Sequence, residues 1–357
     1  MKKYVLLILL IYSGFSYSQQ VNQLQPLGKL IDIGGYKLHY ILQGEGEHTI
    51  VFIAGAKAFS FDWKLVQDDV SKFAKTISYD RPGLAWSDPG PMPRTFDQDV
   101  YELHEMLTRL KLKPPYILVG HSLGGLIARE FSKTYPKDVE GLVLVDPTSE
   151  NTLLFMNGKI QRMRDFASGQ KIPPVKKNVD TLTKVATDKE MEDFLQMTGG
   201  AKIYSPFDKL PENIQQLRIW ASSQPKFLNA DNGQFWGDEF NQIYKNNIDY
   251  GLGTKRLIIL SSLKKIIPKT ADDSLQKQMA DSKAEDQLAM SKLSVNGKLI
   301  QTEKSGHEIH LTEPELVINS VKDAIEFTSR SFGLNKSIDK KKFKLKKIPG
   351  DHEFVLK

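Results

Sequence analysis

A serine flanked by glycines opens the chemistry: Gly120-His121-Ser122-Leu123-Gly124, with Gly125 directly after, has the G-x-S-x-G spacing of a nucleophile elbow. In such an elbow a sharp strand-to-helix turn lifts the serine Oγ clear of the backbone, and the glycines spare neighbouring chain a collision. The flanks fit. Pro115-Tyr116-Ile117-Leu118-Val119 is a short apolar run of buried-strand type, and Leu126, Ile127, Glu130 and Phe131 begin a helix with one apolar face. A hydroxyl is a weak nucleophile at neutral pH, so the chain must also supply a base, a group to orient it and donors for a developing oxyanion.

The base is expected at His307, in Ser305-Gly306-His307 after the last core strand, at the sheet edge where open α/β folds place their ligands. His310, three residues on, is its nearest rival, with packing or capping as the alternative role. His121 adjoins the serine too closely to turn back on its proton and is read as lining the pocket, while His39, His48, His104 and His352 need only structural or surface roles. For the orienting acid two places compete. Asp146 ends the run Leu144-Val145-Asp146-Pro147, where a turn aspartate accepting backbone N–H bonds is the plainer reading. The other place follows Arg256 to Leu260 but reads Ser261-Ser262-Leu263-Lys264-Lys265, with no carboxylate before Asp272 and Asp273, so Asp146 is the expected acid. The oxyanion donors are expected to be the backbone N–H of Leu123 and one from Ala54-Gly55-Ala56-Lys57, namely Ala56 with Lys57 as substitute.

These residues need a scaffold to bring them together. Leu30 to Ile33 and Lys37 to Leu42 read as a hairpin joined at Gly34-Gly35. Thr49 to Ile53 is apolar without alternation, as in a strand covered on both faces. Asp62 to Phe73 suits a helix, Lys75 to Tyr79 a strand, and Thr95 to Leu110 a helix with Thr95 and Gln98 placed for a capping box. Gly141 to Val145, Arg256 to Leu260 and Gly297 to Thr302 are further strands, with helices over Asp272 to Leu293 and Glu315 to Thr328. The alternation predicts an α/β fold with a mostly parallel central sheet and helices on both faces. Between Thr148 and Tyr250 no apolar strand is apparent, and Pro173-Pro174, Gly199-Gly200 and Pro211 punctuate short amphipathic segments, so a helical insertion is expected. Its Phe155, Met156, Met163, Phe166, Phe194, Met197, Phe207, Trp220, Phe235 and Trp236 could line an apolar pocket, though most should form the insertion's own core.

Met1 to Gln20 has the form of a secretory signal: Lys2 and Lys3, the apolar run Val5 to Ile11, then Ser16 and Ser18 before a cleavage site, too short for a stable membrane span. The expected organisation is a signal peptide at 1–18, a core in two parts at 19–148 and 251–332, a helical cap insertion at 149–250 and a basic tail at 333–357. An exported protein, periplasmic or secreted, follows from that signal. With no cysteine in the chain, disulfides, a catalytic thiol and Cys-ligated zinc are excluded. Of the formal charge of +6, the signal lysines and residues 336–357 carry more than the whole, which leaves a near-neutral body unlike a nucleic-acid groove. The tail is read as a solvated extension.

From Leu27 to Ser331 the chain resembles the α/β-hydrolase superfamily, in its capped branch of esterases and lipase-like hydrolases. The resemblance is carried by Phe52-Ile53-Ala54-Gly55, Tyr79-Asp80-Arg81-Pro82-Gly83-Leu84-Ala85-Trp86-Ser87, the elbow, Leu142 to Asp146 and Ser305-Gly306-His307, in the family's order Ser122, Asp146, His307. It implies structural roles for Asp80 and Arg81. Two departures stand out: many relatives have His-Gly at Ala54-Gly55, and most carry the acid after the following strand, where this chain has Ser261-Ser262, while a minority place it as here. Ser122 rather than aspartate at the elbow speaks for acyl transfer, not epoxide opening or halide displacement. The expected function is hydrolysis of a carboxylic ester with an apolar portion, without metal or organic cofactor; an acyltransferase with the same triad or a non-catalytic binding protein are the alternatives. Natural substrate and oligomeric state are not legible.

Overall fold

The computed structural model describes residues 24–156, 159–179, 185–231, 233–246, 251–264, 272–331 and 352–355. The signal expected at 1–18 lies outside them, as does most of the tail at 333–357. Strands β1 (Lys29–Asp32) and β2 (Lys37–Gln43) form the expected hairpin. Gly34 and Gly35 at its turn have φ of 121° and 101°, outside the range side chains allow, and Asp32 Oδ1 accepts both their N–H groups at 2.8 and 3.2 Å.

Strands β3 (Thr49–Ile53), β4 (Lys75–Tyr79), β5 (Tyr116–His121) and β6 (Val139–Val145) follow, β7 (Leu153–Met156) and β8 (Lys159–Arg162) pair apart as a hairpin, and β9 (Gly253–Ser262), β10 (Ser294–Thr302) and β11 (His352–Val355) return to the sheet. Its order is β1-β2-β4-β3-β5-β6-β9-β10-β11, parallel from β4 to β10 and antiparallel at both edges. The far edge differs from expectation. Part of the tail read as a solvated extension pairs with β10 as β11, meeting backbone groups that an open edge would leave without strand partners.

Each central strand sends alternate residues to opposite faces, because side chains in a strand repeat every two residues. Val51, Ile53, Leu118, Leu142 and Leu144 pack with helices α2 (Phe96–Arg109) and α3 (Leu123–Thr134), while Ile50, Phe52, Val119, Val143 and Val145 pack with α1 (Lys64–Val70) and α10 (Pro314–Ser331). The helix expected from Asp62 is a 3-10 turn over Ser60–Trp63 leading into α1. Thr95 caps α2 by accepting the Gln98 N–H at 3.2 Å, worth about 1 kcal/mol in helices generally. The capping box is incomplete: the Gln98 side chain instead donates to Glu102 at 3.1 Å and accepts from the Lys176 N–H at 2.8 Å.

Between β6 and β9 the chain holds the β7–β8 hairpin, whose first strand Leu153-Leu154-Phe155-Met156 is apolar against the expectation of no apolar strand there, and helices α4 (Asp188–Thr198), α5 (Glu212–Ser222), α6 (Pro225–Asn229) and α7 (Trp236–Asn246). Leu210, Ile214, Leu217 and Ala230 of this segment bury against Phe59, Phe61, Leu84 and Leu311, with Phe207, Trp220 and Phe227 packed around them. Helices α8 (Asp273–Ser291) and α9 (Ile309–Thr312) complete the molecule. Among the described residues no helix is long and apolar enough to cross a membrane.

Candidate active site

Ser122 stands between β5 and α3 at φ 52°, ψ −121°, a costly conformation for a residue with a side chain. Its N–H donates to Val145 O at 3.1 Å, and its carbonyl accepts from Gly125 and Thr148 at 2.9 and 3.0 Å, so both neighbouring elements hold the turn. A Cβ on Gly124 would lie 2.1 Å from Ile53 O, and one on Gly120 2.3 Å from Gly124 O; the glycines allow an approach no other residue would. The Ser122 hydroxyl makes no capping bond to its own helix.

Asp146 leaves the end of β6 at φ 41°, with its N–H bound to Leu260 O at 2.7 Å. His307 Nδ1 lies 2.7 Å from Asp146 Oδ2, and the Ser262 N–H donates to Oδ1 at 2.9 Å. Burial of Asp146 works against its charge, but the His307 hydrogen bond and the Lys283 ammonium outweigh it and hold the carboxyl below its ordinary pKa. Ser262, at the strand end where most family members carry the acid, here contributes a backbone donor to it.

His121 Nε2 is 3.0 Å from the His307 carbonyl oxygen and the two rings are 4.6 Å apart, so the residue beside the serine braces the loop bearing His307. Burial drives the His121 pKa well down, with His310 and His307 acting in the same direction. His310 is a packing residue between Trp63 and His121, with ring separations of 4.8 and 4.5 Å. Burial pushes its pKa down to about 3. His307 and Asp146 thus meet at one edge of the sheet, and Ser122 stands at the neighbouring strand end of the same edge. Among the described residues no hydrogen bond joins the Ser122 hydroxyl to the His307 imidazole, whose Nδ1 is turned to Asp146. Contacts of this kind are often long before substrate binds and tighten around it.

Leu123 is the first residue of α3, where backbone N–H groups have no partner within the helix and face a developing anion favourably. Ala56 is exposed, and among the described residues its N–H has no backbone partner. The substitute donor is taken: the Lys57 N–H donates to Asp231 Oδ2 at 2.7 Å. Arg81 fixes the same loop from beneath, donating to Ala54 O and Gly55 O at 2.6 Å each and to both Asp231 oxygens at 2.9 and 2.7 Å. Asp80 accepts from the Ser60 N–H at 2.6 Å and contacts His39 Nδ1 at 2.7 Å. Both have the structural roles expected of them.

A cavity of about 470 Å³ opens beside His307, lined mainly by apolar groups such as Leu154, Phe155, Leu263 and Met279, with Lys283 on its wall. Of the aromatic and methionine residues singled out in the insertion, Phe155 lines this cavity, Phe207 and Trp220 pack at the insertion's contact with the core, and Met197 is exposed. Asp231 and Lys283 were not legible as site residues. Asp231 sits in the sequence Asn-Ala-Asp-Asn, and Lys283 is one of two lysines on a polar helix; no local pattern separates either from its neighbours.

The family described as alpha/beta hydrolase fold matches residues 49–314. The uncharacterized protein YbdG of Bacillus subtilis is 29% identical over 38% of this chain and 42% of its own length, so the chain spans less than half of that relative. Monoacylglycerol lipase ABHD6 of Homo sapiens is 25% identical over 78% of this chain and 76% of its own. Among solved structures, an esterase of Thermogutta terrifontis superposes with a TM-score of 0.57 at 16% identity, over 84% of this chain and 99% of that one, a likeness of fold.

Proposed function

Because the chain belongs to the alpha/beta hydrolase fold family, we propose that it is a serine hydrolase cleaving a carboxylic ester through an acyl-enzyme on Ser122. Ser122 Oγ attacks the ester carbonyl while His307 takes the hydroxyl proton, and the carbonyl oxygen becomes an oxyanion held by the N–H groups of Leu123 and Ala56. His307 then gives the proton to the departing alcohol. Water, activated by the same imidazole, attacks the acyl-enzyme and releases the carboxylic acid. Asp146 keeps Nδ1 protonated, leaving Nε2 as the base, and stabilises the imidazolium that forms.

The observation that carries this reading is the 2.7 Å contact between His307 and Asp146 at the edge where Ser122 occupies its strained turn. The cavity beside His307 borders Asp146 and His307 but not Ser122, Leu123 or Ala56, so the apolar portion of the ester is proposed from the similar lipase and not from that cavity. The esterase and lipase named among the similar proteins support an ester over other acyl compounds. Export to the periplasm or medium is proposed from the N-terminal signal pattern alone.

The test is turnover of p-nitrophenyl esters of graded acyl length, with fluorophosphonate labelling, by the protein and by Ser122→Ala. The variant should fold normally, lose the label and lose turnover by up to roughly a million-fold. Unchanged turnover would overturn the assignment, and transfer of most acyl groups to an added alcohol instead of water would make the protein an acyltransferase.

A further inference from the structure

Asp146 is gripped by one group that the proposed mechanism does not use. Lys283, on α8, places its Nζ 2.7 Å from Oδ1 and 3.0 Å from Oδ2, and also donates to Ser262 O at 3.0 Å. With the Ser262 N–H and His307 Nδ1, donors from three parts of the chain close on one carboxylate. Lys283 therefore ties the end of β6 to the end of β9 and α8 to both.

A triad aspartate stabilises the imidazolium because its negative charge faces the ring. Here an ammonium lies against the same carboxylate and offsets part of that charge. Among the described residues, other charged or titratable groups also stand around the pair, Arg218 acting on both His121 and His310. His121 and His310 stand near the ring, and burial holds both below their ordinary pKa; Lys264, after β9, and Asp286, on α8, line the same cavity as His307. Burial pushes Asp286 up to about 6. Among the described residues Lys283 is the cation in direct contact with the acid.

We infer that Lys283 is a positioning residue for hydrolysis, clamping Asp146 against His307 and, by sharing its charge, keeping the imidazole in its base form to lower pH. This rests on the assignment of Ser122, His307 and Asp146 as the catalytic residues. The neutral imidazole is the competent base, so the acid limb of the kcat/KM profile reports its protonation. Removing the ammonium leaves the aspartate charge uncompensated, eases protonation of the ring and moves that limb to higher pH.

The experiment compares wild type, Lys283→Met and Lys283→Arg by kcat/KM for p-nitrophenyl butyrate across the acid and neutral range, with Ser122→Ala as reference. Lys283→Met should shift the acid limb upward by on the order of one pH unit, while kcat on the plateau falls no more than about tenfold. Lys283→Arg, which retains the charge, should return the limb towards wild type. Lys283→Gln substitutes if the methionine variant does not fold. An unmoved limb in a folded, fluorophosphonate-reactive neutral variant overturns the inference, as does failure of both neutral variants to fold while the arginine variant does, since the charge then serves stability alone. Full turnover by Ser122→Ala would sink the catalytic assignment itself, whereas an inactive Ser122→Ala with an unmoved limb sinks only the role of Lys283.

Discussion

The proposed acid–base half of the site and the proposed oxyanion half are held by different means. Asp146, Ser262 and Ser122 lie at the ends of neighbouring strands, and parallel pairing brings those ends to one edge. Val145 O holds the Ser122 N–H, and Leu260 O holds the Asp146 N–H, so the register of β5, β6 and β9 sets the spacing of nucleophile and acid. The oxyanion loop after β3 depends on a residue 174 positions away: Asp231 holds the Lys57 N–H and the Arg81 guanidinium, which in turn holds the carbonyls of Ala54 and Gly55. Lys57 Nζ adds donations to the carbonyls of Phe227 and Leu228. One half is thus built into the sheet, while the other is completed by the segment between β6 and β9.

The strongest way to break this comparison is Asp146→Asn, which keeps the side chain's shape but exchanges an acceptor-only group for an amide. If the sheet-held half works as described, His307 loses its orienting charge and its correct tautomer, and kcat should fall by roughly ten-thousandfold, as in triad enzymes with that exchange. Circular dichroism should show the fold intact. Wild-type turnover would reduce Asp146 to the turn residue that its place at a strand end also allows.

The same contrast explains what the sequence made legible. Ser122 and Asp146 each follow an apolar run and His307 lies on the loop after a strand, and such positions can be read from a few adjacent residues. Positive φ at Ser122 and Asp146 is a local demand as well, and flanking glycines announce the first of them. Lys283 and Asp231 act through contacts that join distant segments, 137 and 174 positions from the residues they touch, and nothing next to either marks it. The β7–β8 hairpin escaped notice for a related reason. Leu153–Met156 is an apolar run of only four residues, and Lys159–Arg162, polar at three of its four positions and partly exposed, takes its strand character from pairing with it. Gln98 also bonds Glu102 one turn along its own helix and the distant Lys176, over the local capping rule.

Asp231→Asn probes the other half, with a smaller effect expected. Burial opposes the negative charge of Asp231, but the Arg81 charge and hydrogen bonds, with the Lys57 N–H, outweigh it and hold its pKa down. Neutralising it leaves Arg81 buried with its charge unmatched and loosens the loop carrying Ala56. An oxyanion donor acts mainly in the transition state, so kcat should fall by roughly a hundredfold with KM little changed, measured per fluorophosphonate-reactive site. Equal losses in kcat from this variant and from Asp146→Asn would erase the distinction between the halves; an unchanged kcat would detach the cap segment from catalysis.

The smallest effect on turnover is expected at a second tie between that segment and the core. Glu239, on α7, accepts the Phe96 N–H at the start of α2 at 2.6 Å. Burial pushes its pKa up to about 8, with the Phe96 N–H pulling the other way and Asp99 and Asp97 adding to the rise. A carboxyl that keeps its proton when folded and loses it near 4.5 when unfolded gives a stability present at low pH and lost as pH rises towards 8. Glu239→Gln removes that titration while retaining an oxygen for Phe96. Its Tm should therefore match or trail wild type near pH 4 and exceed it by on the order of a few degrees near pH 8, the difference growing across the interval. Ester turnover should stay within about twofold of wild type, since Glu239 touches neither half of the site. A Tm difference independent of pH would show that Glu239 is ionised in the folded protein. A large loss of kcat would mean that the oxyanion loop responds to how the whole insertion is seated, not to Asp231 alone.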